Sequence, residues 1–323
     1  MPSEAQALDH LAAWNGRAVL VAGLGAAGLA AADALHHVGA KVTAIDAVEI
    51  SPDQRERAQI LTYLGVDIRI DSNSDFTLPA GIDHVVVAHE RYREAPFVEQ
   101  ALDQGMEVLG DIELAWRLRG PDAAPWIVIA GDDHGHETAL VLEQILTRSG
   151  VRALAVGADS RHSIEAVLDP EGPAVLIVTV SRHQALWLRS VSAYATAVTD
   201  IDSEIGAPDD WANVYERTLI ACVYNEQDTR TRTLVENADV VEGARAIGFS
   251  VAAPGLSMIG IVEDVVVDRA FGPDRKISAE ELFTLGELTD ISRQTLAPVL
   301  AASALARSLG VPAQLVRTGI VAG

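Results

Sequence analysis

The chain has 323 residues, 49 % hydrophobic but only 5 % aromatic, which suggests about two domains of roughly 150 residues with aliphatic cores. A net charge of −22 argues against nucleic acid and anionic membrane surfaces, since both would repel it. One cysteine, Cys222, excludes an intramolecular disulfide and a Cys-based zinc site, and no run of 18 apolar residues suggests a membrane span. Residues 1–16 carry Glu4, Asp9 and His10 with no basic segment leading into an apolar one, so no signal peptide is visible and a cytoplasmic location is expected.

In chain order, residues 17–22 form a short apolar run ahead of Gly23-Leu24-Gly25-Ala26-Ala27-Gly28. An Ala-rich helix is expected to Val38, then a strand over 41–45 with Asp46 at its tip. This is the βαβ pattern of a doubly wound sheet. It continues with helix 52–64, strands 66–70 and 84–88, helix 95–104, strand 107–109 and helix 112–118. The stretch 120–125, Gly-Pro-Asp-Ala-Ala-Pro, reads as a linker. Behind it, strand 126–130 leads through the polar loop 131–136 into helix 137–149. Strands are expected over 152–156, 174–180, 196–199, 219–223 and 246–252, a hairpin over 259–267, and a helix over 291–309.

Gly23, Gly25 and Gly28 suit a tight turn, close backbone approach to a ligand, and helix-on-strand packing. With Asp46 placed for a hydroxyl, the loop fits a nucleotide-type ligand, NAD being the generic choice, or else a plain structural turn. Cys222 lies in an apolar run and reads as a buried structural thiol.

The segment Gly110-Asp111-Ile112-Glu113-Leu114-Ala115-Trp116-Arg117-Leu118 resembles one in the Mur ligase family, specifically the MurD type that adds D-glutamate to UDP-N-acetylmuramoyl-L-alanine. The stretch 265–271, Val-Val-Val-Asp-Arg-Ala-Phe, and the run 296–312 are similar to central-domain sequence of the same type. The resemblance covers 17–312. It implies an α/β fold: a Rossmann-like N-terminal domain over 1–120, of the UDP-sugar-binding type, and a P-loop-like central domain over 126–323. It also implies that Gly23, Gly25, Gly28 and Asp46 face the UDP part of a substrate rather than NAD. The family's third domain is expected to be absent, because the sequence stops at Gly323, where that domain would begin.

Such ligases phosphorylate a carboxylate with ATP and let an amine attack the acyl phosphate. Their ATP loop, G-T-x-G-K-T-T, uses backbone N–H groups and a lysine to hold phosphates. The matching stretch here is Gly131-Asp132-Asp133-His134-Gly135-His136-Glu137-Thr138, with no lysine; the chain has only Lys41 and Lys276. Its three acids would each repel a triphosphate by roughly 1–4 kcal/mol at ~4 Å. They read as capping and favouring a helix N-terminus, as an altered anion or nucleotide site, or with His134 and His136 as a metal cluster. Thr179 stands at the family's magnesium-binding glutamate, the 200–207 region lacks its His and carbamylated lysine, and His89-Glu90-Arg91 replaces an S-P-G turn. Asn225 matches an adenine-contacting asparagine. His183 and Gln184, beside Trp187, read as a solvated helix face or the lining of a residual pocket.

These departures lead to the expectation of a catalytically inactive MurD-like protein. It would have a binding, structural or regulatory role in peptidoglycan precursor synthesis, with no cofactor and no metal. Its expected partners are a UDP-sugar, another Mur ligase or a second copy of itself. The alternative is an active ATP-dependent D-glutamate-adding ligase with an atypical ATP site, using ATP and magnesium. An NAD-dependent dehydrogenase is the third reading.

Overall fold

In the computed structural model the described residues are 11–47, 50–71, 76–157, 162–202, 208–288 and 296–321. They form two compact units. The first contains five parallel strands, β1 (Ala18–Ala22), β2 (Lys41–Asp46), β3 (Asp67–Ile70), β4 (His84–Val87) and β5 (Glu107–Gly110), in the order β3-β2-β1-β4-β5. The central strands are runs of Val, Leu, Ile and Ala because helices cover both faces. Helix α1 (Ala26–His37) follows β1. Helix α2 (Pro52–Leu64) starts on a Ser51–Gln54 capping box with Pro52 in its first turn, and ends on Gly65 at φ 113°. Helices α3 (Pro96–Asp103) and α4 (Asp111–Leu118) complete the alternation.

The second unit carries nine strands: β6 (Trp126–Ala130), β7 (Ala153–Val156), β8 (Val175–Val180), β9 (Ala195–Val198), β10 (Ala221–Asn225), β11 (Arg245–Phe249), β12 (Met258–Val262), β13 (Val265–Asp268) and β14 (Glu280–Thr284). Their order is β14-β13-β12-β11-β10-β9-β6-β8-β7, with β13 and β14 antiparallel to their neighbours and the rest parallel. Helix α5 (Gly135–Arg148) follows β6. Next in the chain, α6 (Ser163–Leu168) belongs to the first unit, where it packs on α4 and α1. Helices α7 (Arg182–Ala185), α8 (Thr229–Asn237), α9 (Leu296–Ser308) and α10 (Ala313–Val321) complete the second unit. All of α9 except Ala297 and Arg307 is buried, against α5 and strands β9 to β12.

The α/β class and the parallel-sheet pattern expected from the sequence are present. Residues 203–207 of the expected metal motif, and 291–295 of the last expected helix, lie outside the described residues; the described part of that helix is α9. The structure adds α6, α8, β14 and α10.

Two acidic residues hold the units internally. Glu113, with no exposed surface, accepts from the Arg189 N–H (2.9 Å), the Ser190 hydroxyl (2.6 Å) and the Arg117 guanidinium (2.8 Å). In the second unit, Asp268 accepts from the Ala270 and Phe271 N–H groups and from Arg307 of α9 at 2.7 Å. Burial pushes the Glu113 carboxyl up, but the bonds from Ser190, Arg189 and Arg117 outweigh it and hold it below the ordinary glutamate value. A lowered native value stabilises the fold at pH above the unfolded value of about 4.3, and that stability is lost as pH falls through the native value. Glu113→Gln should therefore cost about 2–4 kcal/mol at pH 7. In urea denaturation the gap between native protein and variant should narrow on going from pH 7 to pH 3; an equal gap at both would contradict this assignment.

Candidate functional site

In an open α/β sheet, ligands gather beyond the carboxyl ends of the strands, where neighbouring connections run to opposite sides. The first unit has this switch point between β1 and β4, and the glycine loop lies there. Gly23 has φ 106°, and a Cβ on it would fall 2.7 Å from the His89 Cβ. A Cβ on Gly28 would fall 1.7 Å from the Gly23 carbonyl oxygen, so helix α1 can approach the turn only with glycine there. Gly25, the residue before α1, faces open space, and no side chain caps the helix. Asp46 is buried and turned back onto the loop. Its Oδ2 accepts from the Leu24 N–H at 2.7 Å, and its Oδ1 accepts from the Tyr92 hydroxyl at 2.9 Å. His89, Glu90 and Arg91 lie beside this turn: His89 caps the Glu90–Tyr92 turn through Nδ1, and Arg91 sits 3.9 Å from Asp46.

The second unit has its switch point at β6, which lies between β8 and β9. Loop 131–134 leaves the end of β6, Arg182 follows β8, and Asp200 follows β9. The sheet order therefore brings together three segments that are far apart in sequence. The Asp200 carboxylate accepts from three consecutive N–H groups: Asp132 at 3.1 Å, Asp133 at 2.8 Å and His134 at 3.0 Å. Thr199 adds a hydroxyl bond to the same carboxylate at 2.7 Å. Gly131, at φ 155°, permits the approach, since a Cβ there would fall 2.1 Å from the Thr199 hydroxyl and 2.8 Å from Asp200 Oδ1.

The expectation that the loop's own acids cap helix α5 is corrected. His134 is the N-cap and no local side chain caps the helix; the capping carboxylate comes from Asp200, 66 residues away. Asp132 is committed elsewhere. It pairs with the buried Arg182 at 2.5 Å and accepts from the Asp202 N–H at 2.7 Å. Arg182 also donates to the Asp202 carbonyl, stands 3.8 Å from Asp210 and lies over Trp211. A second arginine, Arg230, pairs with Asp228 at 2.9 Å, which raises its guanidinium further above its ordinary value. No lysine lies near the loop in sequence, as expected, but the sheet order brings the Arg182 guanidinium onto Asp132.

The remaining expected residues have definite places. Gly135 starts α5, and His136 and Glu137 lie in its first turn. The Thr138 hydroxyl donates to the His134 carbonyl inside the helix. Asn225 ends β10, donating to the Thr199 carbonyl and accepting from the Gln227 N–H. Nearby, Ile201, Ala212, Thr229, Arg230, Thr233 and Leu234 help line a cavity of about 300 Å³. His183 bonds Ser181, Gln184 completes a capping box with Ser181, and Trp187 is buried against Gly110 in the first unit. Thr179 donates to the Val156 carbonyl. Among the described residues no three His, Cys, Asp or Glu side chains are grouped to hold a metal ion.

Comparison with known proteins decides the lineage. A Streptomyces avermitilis protein named UDP-N-acetylmuramoylalanine–D-glutamate ligase is 40 % identical over 322 residues, covering 95 % of this chain and 67 % of its own length. The chain belongs to the MurD branch of the Mur ligase family. Proteins of the same name from Streptomyces coelicolor and Thermobifida fusca are each 38 % identical, over 99 % and 95 % of the chain and 68 % and 67 % of their own lengths. The chain thus spans about two thirds of the length of these relatives. Among solved structures, UDP-N-acetylmuramate:L-alanyl-gamma-D-glutamyl-meso-diaminopimelate ligase from Neisseria meningitides superposes with a TM-score of 0.58 at 15 % identity, covering 95 % of this chain and 98 % of that one. UDP-N-acetylmuramate-alanine ligase MurC from Thermotoga maritima gives 0.51 at 14 % identity, over 95 % of this chain. These two likenesses establish the fold. No protein-family model matches the chain.

The expectation of a catalytically inactive protein is overturned by these relatives, which carry the name of a ligase at 38–40 % identity over nearly the whole chain. No described helix is long and apolar enough to cross a membrane. Cys222 is buried in β10, and burial pushes its thiol up to about 12. It should therefore resist aromatic disulfide reagents at pH 8 in the folded protein and react fully in 6 M guanidinium, a contrast read directly from thiolate absorbance.

Proposed function

We propose that the protein is an ATP-dependent ligase joining D-glutamate to UDP-N-acetylmuramoyl-L-alanine, with an atypical nucleotide seat. The observation that carries this reading is the 40 % identity over 95 % of the chain to a relative named for that reaction. In the reaction, the substrate carboxylate attacks the γ-phosphorus of ATP, releasing ADP and leaving an acyl phosphate. The D-glutamate amine then attacks the acyl carbon, phosphate departs, and the nitrogen loses a proton.

The residues divide this work between the units. In the first, the turn at Gly23 and the uncapped start of α1 at Gly25 suit a pyrophosphate, through free N–H groups and the helix dipole. In the second, the N–H groups of Asp132, Asp133 and His134 suit the terminal phosphates of ATP. Arg182 supplies the cation that a lysine supplies in relatives with the ordinary loop, and its planar fork suits phosphate oxygens as well as the Asp132 carboxylate it holds here. The cavity of about 300 Å³ beside Arg230 and Ile201 is of a size for a purine ring.

The test is release of ADP and phosphate from ATP in the presence of UDP-N-acetylmuramoyl-L-alanine, D-glutamate and magnesium chloride. Turnover that requires both the sugar nucleotide and D-glutamate is expected; no release above a buffer blank would sink the proposal. Arg182→Met should lower kcat at least about a hundredfold, the scale for losing one transition-state donor, with partial recovery in Arg182→Lys.

A further inference from the structure

The Asp200 carboxylate already occupies the seat that the proposed function gives to phosphate. It takes the N–H groups of Asp132, Asp133 and His134 at 2.8–3.1 Å, the three donors that a phosphate on this loop would use. We propose that Asp200 is a built-in competitor for the nucleotide: its carboxylate plugs the anion seat of loop 131–134 and must swing out before the terminal phosphates of a nucleotide can enter. This rests on the reading of that loop as the triphosphate seat, and adds a regulatory contact to it.

The plug is fitted on several sides. Its chain neighbour Thr199 donates to it, and Gly131 leaves room for both residues where any side chain would collide. The next residue, Ile201, is held by its N–H on Asp228, and Asp202 is held by its N–H on Asp132. The backbone just after the plug is therefore anchored at two points. Release needs only rotation of the Asp200 side chain, which sacrifices four hydrogen bonds and leaves the anchors intact. Two anions cannot share the seat, because each donor has one hydrogen and the charges repel at contact distance. The apparent affinity for a phosphate is then its intrinsic affinity reduced by the fraction of molecules with the plug withdrawn.

The experiment compares native protein, Asp200→Asn and Asp200→Ala by calorimetric titration with inorganic pyrophosphate, which needs neither an adenine site nor an amino-acid site. Both variants should bind it roughly tenfold or more tightly than the native protein. Thermal unfolding separates a plug from a mere brace. Without ligand, Asp200→Ala should melt below the native protein because α5 has lost its cap, and pyrophosphate should restore much of the difference by taking the cap's place. If Asp200→Ala does not fold, Asp200→Asn, which keeps an acceptor but not the charge, gives the same affinity readout. Pyrophosphate binding in the variants that is no tighter than in the native protein overturns the plug. The ligase reading fails separately, by absence of ADP release in the native protein, so either idea can fall while the other stands.

Discussion

Three backbone N–H groups in a row at the start of α5 point at one spot, and the partial positive charge of the helix points there too. A helix start of this kind, facing the carboxyl edge of a parallel sheet, needs an anion or water to complete its hydrogen bonds. Here the anion is part of the chain, from the end of β9. Much of the surrounding order follows from that choice. Gly131 is glycine because the β9 end comes so close, Thr199 turns its hydroxyl inward to support the carboxylate, and Asp132 is drawn to Arg182 on the far side of the loop. The Arg182–Asp132 pair is buried, so removal of either partner would leave an uncompensated charge, at a cost of about 3–5 kcal/mol. Loop, plug and arginine thus form one electrostatic unit, and a change at one alters the other two.

The first unit uses a related device. Asp46 ends β2, the strand beside β1, and returns its carboxylate to the Leu24 N–H within the glycine loop. Tyr92 holds the other oxygen, and burial, with that bond, pushes the tyrosine hydroxyl up to about 12, so it stays a neutral donor. In both units an acid beyond a strand end steadies the loop that follows the neighbouring strand. The difference lies in how much of the loop is taken. Asp46 takes the Leu24 N–H and leaves the space at Gly25 open, whereas Asp200 takes the N–H groups of three consecutive loop residues. The first loop is braced; the second is also filled.

The sequence made the strands legible because their chemistry is local. Runs such as Val19-Leu20-Val21 and Ile127-Val128-Ile129 are buried on both faces and read as strands without knowledge of their neighbours. Elements whose burial is one-sided were harder to read. Helix α8 is Thr-Arg-Thr-Arg-Thr-Leu-Val-Glu-Asn, rich in β-branched threonine, with Thr231 its one buried residue, so neither propensity nor an apolar stripe announces it. Strand β14 opens on Glu280 and Glu281 and reads as a polar loop until Leu282 and Phe283 are seen in the core. The loop of the site was legible by its position after β6. Its partners were not, because Arg182 and Asp200 lie 50 and 68 residues from Asp132 and only the strand order β9-β6-β8 puts them together.

The same distinction explains why lineage could be read from the sequence while activity was misjudged. The segments that carried the resemblance are those the fold cannot lose. Glu113, in the stretch 110–118, gathers Arg117, Arg189 and Ser190 around a fully buried carboxylate, and Asp268, in 265–271, ties β13 to Arg307 of the core helix α9. A buried acid stripped of its donors is costly, so a change at either site would be expensive for this fold. A phosphate site depends instead on summed charge and on donors with the right direction. Cations on neighbouring strands can supply the first, and the backbone, which no side-chain motif records, supplies the second. A missing lysine therefore changes which residue does the work before it decides whether the work is done. In this protein the loop's observed partners are Arg182, paired with Asp132, and the carboxylate of Asp200.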